Sequence, residues 1–102
     1  MTVKYKHWNC YVDFNKYASN GNNAICLYEV GTGEPIAVAT LNLQGIRLKA
    51  DEVIIKNYTE NEGMLKTLVN AKIISEPISM VQHGFVMSPI CKLLVNTENE
   101  TE

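Results

Sequence analysis

Cysteine, histidine and arginine are scarce in this chain, and each scarcity removes a class of function. The 102 residues include three cysteines, two histidines and a single arginine. Cys10, Cys26 and Cys91 are widely spaced, odd in number, and form no CxxC or CxH pair. A secreted disulfide scaffold would carry more cysteines, in an even count. A zinc site would need three or four ligands at workable spacing. Each cysteine has apolar or aromatic neighbours and reads as a small buried hydrophobe. Neither a metal nor a cofactor is implied.

Basic charge is also thin. The formal net charge is −2, and a protein that neutralises phosphates needs a basic excess on at least one face. Lys4, Lys6 and Lys16 lie near the start and the other lysines are scattered, so charge gives nucleic-acid binding no support. Nowhere do about 18 apolar residues run together, so no membrane span is expected. The opening residues lack the apolar stretch of a secretory signal. Asn57–Tyr58–Thr59 and Asn99–Glu100–Thr101 match the glycosylation sequon, which carries no meaning without secretion. The expected location is the reducing cytoplasm. Eight lysines against one arginine, with eleven asparagines, suit an AT-rich coding sequence.

What remains is an ordinary globular composition, 46% hydrophobic and 20% charged. That argues against disorder of the whole chain. The length suits one domain able to bury roughly two thirds of its unfolded surface. Residues 1–95 are read as that domain. Residues 96–102 contain no apolar side chain and are read as a disordered acidic tail.

From Lys6 to Phe14 apolar residues alternate, with Trp8, Cys10, Val12 and Phe14 on one face. This is a half-buried strand. Asparagine and glycine at 19–23 form a loop. Strands are expected at Ala24–Val30 and Ile36–Leu43, joined through the Gly31–Pro35 turn. Val53–Ile55 reads as a buried edge strand. Thr59–Glu60–Asn61–Glu62 matches a capping box, which predicts a helix from Glu60 to Lys72 with Met64, Leu65, Leu68 and Val69 inward. Short strands follow at Ile78–Val81, Phe85–Met87 and Ile90–Val95, with Gln82–Gly84 as a turn. Pro89 demands an edge or a bulge. The fold class is therefore α+β: an antiparallel sheet of about five strands with one helix packed on one face.

Catalytic constellations are hard to assemble. Cys91 and His83 could meet across a hairpin, but no third residue is evident to orient them. Gly31–Thr32–Gly33 opens no helix and lacks the phosphate-loop lysine. Asp51, Glu52, Glu60 and Glu62 flank the Val53–Ile55 strand and form an acidic approach that could meet a basic partner. Tyr5, Tyr11 and Tyr17 share the less covered face of the first strand. Aromatics there could stack on single-stranded bases or anchor a protein interface. With few basic residues beside them the interface is the better of the two, and simple packing under the C-terminal strands is the first expectation.

The stretch from Asp51 through Val53–Ile54–Ile55–Lys56–Asn57–Tyr58 to Leu65, continuing to Leu68, resembles a family of small proteins of unknown function. Phages and mobile elements of gut-type Firmicutes carry that family. Gly33–Glu34–Pro35–Ile36–Ala37 and Gly84–Phe85–Val86 are similar as well, and the likeness covers most of residues 10–95. No catalytic residue comes with it. The resemblance implies a mobile-element accessory protein acting in the host cytoplasm. Small acidic proteins of that origin often block host defence by binding a nuclease or its nucleic-acid groove. A protein-binding inhibitor of the anti-CRISPR kind, not an enzyme, is thus the first expectation. Its candidate contacts are Asp51, Glu52, Glu60, Glu62 and Tyr11. The alternative is a structural or regulatory module, homodimeric through an edge strand or the tyrosine face. A small enzyme or nucleotide-binding protein using Cys91 and His83 stands third.

Overall fold

A computed structural model describes residues 1–95. The tail read at 96–102 lies outside the described residues.

The chain begins with β1, Thr2–Tyr5, which turns through Lys6 and His7 into β2, Trp8–Lys16. Lys6 takes a positive φ of 55° to make that turn. β3 is Asn23–Glu29 and β4 is Pro35–Val38. These four strands form one antiparallel meander in sequence order. β5 is Thr40–Leu41, β6 is Glu52–Ile55, β7 is Ser79–His83 and β8 is Val86–Lys92. They form a second antiparallel sheet in the order β5-β6-β8-β7. The helix α1 is Met64–Asn70, preceded by a short 3₁₀ turn at Thr59–Asn61. The class is α+β as the sequence implies, with eight strands in two sheets among the described residues where one sheet of about five was expected.

The extra sheet has a local cause. The segment read as one strand, Ile36–Leu43, bends at Ala39 and serves both sheets. The Ala39 amide donates to the Ile25 carbonyl at 2.8 Å, and its carbonyl accepts from the Lys56 amide at 2.9 Å. A strand that changes sheets at a bend is a standard way to turn a corner. The same pairing makes β6 an interior strand, between β5 and β8, and not the edge that its shortness suggested.

Both sheets drain into one core. Val3, Tyr5, Cys10, Val12, Ile25 and Leu27 from the first sheet meet Val53, Ile55 and Cys91 from the second. Met64 and Leu68 of α1 close it, followed by Ile73 and Ile74. The alternation read on β2 places Cys10 and Val12 inward as expected. Three sequence expectations change. Tyr5 belongs to β1, past the turn, and is buried, so it does not share the face of Tyr11. Tyr17 lies beyond β2, half-buried, with its hydroxyl 2.8 Å from the Thr40 hydroxyl. Cys26 is half-buried, while Cys10 and Cys91 are fully inside.

The capping box does not form. Thr59 has a φ of 54°, and its hydroxyl turns to the Tyr58 carbonyl and the Glu60 carboxylate. Gly63, at φ 89°, separates the 3₁₀ turn from α1. Asn57 supplies the side-chain cap instead, accepting from the Leu65 amide at 2.8 Å. The helix is accordingly shorter than the stripe from Glu60 to Lys72 implied.

β8 is one continuous strand, with Pro89 inside it and opposite Met80. Toward β6 the ladder stops at Ile54 and Ile90, one residue short of the proline. On that side Pro89 sits where pairing has ended, so its missing amide breaks no bond there.

A candidate partner-binding face

The register of β2 against β3 sets Tyr11 opposite Tyr28 on the outer face of the first sheet. Their rings stack at 5.5 Å with 21° between planes. Tyr11 is exposed and Tyr28 half-buried. Beside them Cys26 pairs with the exposed Val38. A tyrosine pair held flat on a sheet offers a rigid amphipathic surface with few rotamers to freeze, which is what interface anchors need.

Next to this face lies a cleft of about 460 Å³ over β4. Tyr28, Cys26 and Val38 line it from the sheet, and Lys56, Glu60 and Asn61 from the turn region. The turn is fixed from three sides. Tyr5 donates to the Glu60 carbonyl, Lys6 Nζ donates to the same oxygen at 2.8 Å, and Asn61 Nδ2 donates to the Val38 carbonyl at 2.7 Å. Lys56 Nζ meets Glu60 Oε2 at 2.5 Å. That hydrogen bond, then the one from Thr59, holds the Glu60 carboxyl far below the ordinary carboxylate range, at about 2. The strained Thr59 backbone persists because these contacts over-determine it, and such strain gathers at binding sites.

The structure brings Tyr11 and Glu60 to one region, through Tyr28 and the cleft, and leaves the other expected contacts apart. Asp51 and Glu52 lie at the start of β6, whereas Glu60 and Glu62 follow its end. The rest of β6, Val53–Ile55, thus stands between the two pairs along the chain. Glu52 Oε1 also accepts from the Lys49 amide at 2.9 Å. Tyr28 and Lys56 were not singled out from the sequence. The pairing register that reveals Tyr28, and the reach of Lys56 to a residue four positions on, are properties of the folded chain.

Cys91 and His83 point to opposite faces of the second sheet. His83 is opposite Val86, which shares its face with Ser88, while Cys91 is opposite Val53 in the core. Burial, then Glu76, pushes the Cys91 thiol up to about 11, away from the thiolate a nucleophile requires. His83 Nε2 instead lies 2.8 Å from Ser88 Oγ. Ser88 is fully buried, so no substrate carbonyl reaches that oxygen. Among the described residues, no three His, Cys, Asp or Glu side chains gather as metal ligands, and no helix is long and apolar enough to cross a membrane.

Compared with protein-family models, with curated proteins and with solved structures, the chain matches none.

Proposed function

We propose that this chain is a non-enzymatic protein-binding module whose contact surface is the Tyr11–Tyr28 face and the adjoining cleft. The stacked tyrosine pair, its Tyr11 exposed beside a cleft with a charged rim, is the observation that carries this reading. The resemblance to mobile-element proteins directs the choice of partner. We take it to be a host defence nuclease, with the chain acting in the host cytoplasm as an inhibitor of the anti-CRISPR kind. Glu60 then stands at the rim of the contact, where a basic groove would meet it, and Glu62 lies outside the cleft lining. Asp51 and Glu52, at the start of the interior strand β6, add long-range attraction rather than contact.

The test is cleavage by purified RNA-guided nucleases from defence-proficient hosts, with and without the chain. Inhibition is expected, and Tyr11→Ala with Tyr28→Ala should relieve it by tenfold or more, as loss of interface anchors does. Full cleavage by every such nuclease, with no complex on a sizing column, would overturn the inhibitor reading. Inhibition that survives the double tyrosine variant would move the contact surface elsewhere.

A further inference from the structure

We propose that β7 pairs antiparallel with β7 of a second copy, joining two second sheets into one eight-stranded sheet across a twofold axis. This surface is separate from the tyrosine face and does not depend on it. The first observation concerns edges. An open edge strand invites pairing, and proteins blunt it with lysine, proline, brevity or a covering group. Three of the four sheet edges among the described residues are blunted. β1 carries the exposed Lys4, β4 starts at Pro35 with Asn61 bonded to its Val38 carbonyl, and β5 has two residues. β7 has five residues, no lysine and no proline, and among the described residues nothing pairs with its outer side.

The second observation is charge. From Pro77 to Cys91 there is no Asp, Glu, Lys or Arg. Two copies of a chain with net charge −2 would repel through an acidic surface, but can approach through this one. Apolar side chains are also placed where a twofold would use them. Met80, opposite Pro89, and Met87, opposite Gln82, lie on one face of the hairpin and are about half exposed, at 48% and 54%. Ile78 is 49% exposed and Phe85, at the hairpin tip, is 106% exposed.

A twofold centred on Val81 sets Met80 against Gln82 of the other copy and Ser79 against His83. It also brings the tip, Gly84–Phe85, opposite Pro77–Ile78. One register thus accounts for both outlying apolar residues as well as the two methionines. Four such side chains and a paired strand remove on the order of 500 Å² per copy, about 1,000 Å² in all, which meets the lower bound for a specific interface.

Sedimentation equilibrium of the intact chain over a wide concentration range tests this. The expected species has twice the 11.4 kDa of the chain. Phe85→Ser, at a fully exposed position, and Met80→Glu should each weaken the dimer about tenfold or more. Val81→Cys reads the register. Residues opposite across an antiparallel pair are close enough to form a disulfide. Mild oxidation should therefore link Val81→Cys chains faster than Thr32→Cys chains, whose new thiol lies in the exposed β3–β4 turn. A monomer at the highest concentration overturns the proposal. So does a larger open assembly, a dimer indifferent to both variants, or cross-linking no faster at 81 than at 32. Any of these outcomes leaves the tyrosine-face reading standing, since that is scored by nuclease inhibition.

Discussion

The Tyr5 hydroxyl donates to the Glu60 carbonyl at 3.0 Å, tying the first strand to a turn 55 residues later. The same hydroxyl lies 3.1 Å from the Glu62 carbonyl. The Tyr5 ring packs in the core, so Tyr5→Phe keeps the packing and removes only the bond. We expect a loss of about 1 kcal/mol, seen as a lower urea midpoint at an unchanged slope. An unchanged midpoint would mean that Lys6, which donates to the same carbonyl, holds the turn alone.

Glu60 gives a prediction in pH. Its ordinary value is 4.5, and the bonds from Lys56 and Thr59 lower it to about 2 in the folded chain. A group depressed on folding contributes stability above its unfolded value, and that contribution is lost as pH falls through the folded one. The window here is therefore about 4.5 down to about 2. The pair is exposed, so salt should weaken it. Side-chain NMR titration of Glu60 should show the low value at low salt, a smaller shift at high salt, and a return toward the ordinary range in Lys56→Met. Titration near 4.5 at low salt in both chains would remove the ion pair from the account of the cleft.

The strand alternation, the asparagine loop and the hairpin after Gly31 were legible in the sequence because each depends on neighbours along the chain. The corner at Ala39 was not. Nothing local marks it, since the bend is defined by Ile25 on one side and Lys56 on the other. The capping box failed for a readable but misjudged reason. Gly63 falls inside the predicted Glu60–Lys72 helix, whereas its positive φ ends one turn and starts another. Of the candidate contacts, Tyr11 could be placed on a face by period-two counting. Its partner Tyr28 and the division of the four acids came only with the register and direction of β6. The Cys91–His83 pairing failed on parity, because a hairpin sets opposite faces for residues of unmatched register.

Thr59 should be a site where substitution stabilises. A β-branched residue at φ 54° sits in a region that costs L-residues roughly 1–2 kcal/mol. Thr59→Gly relieves that and forfeits an exposed hydrogen bond to Glu60. A gain of about 1 kcal/mol is expected from thermal and urea unfolding. If the strain serves binding, the same variant should inhibit nucleases less well despite being more stable. A stable variant with full inhibition would make the strain incidental.

Thiol chemistry should separate the three cysteines. Cys10 and Cys91 are buried in the core, while Cys26 lies partly open beside Tyr28. Burial, then Asp13, raises the Cys26 thiol, so labelling should be slow as well as selective. A disulfide reagent at neutral pH should modify one thiol in the native chain and all three in denaturant. Cys26→Ser should abolish the native reaction. Prompt modification of Cys91 would mean that the second sheet opens, contrary to its place between Val53 and the core.

Ala39 concentrates the dependence of the two sheets on each other. Its amide belongs to the first sheet's ladder and its carbonyl to the second's, and its methyl group lies fully inside the shared core. A leucine there adds three carbons at a point where neither backbone can shift without breaking a bond. Ala39→Leu should cost about 1–3 kcal/mol, the usual range for overpacking. The location of the damage is more telling than its size. If Ala39 is the joint, hydrogen exchange should accelerate together at the Ala39 amide, which is bonded to Ile25, and at the Lys56 amide, which is bonded to Ala39. Faster exchange at Lys56 alone would mean that the second sheet loosens as a unit of its own. The corner would then be a covalent link between two independently held layers and not a shared structural element.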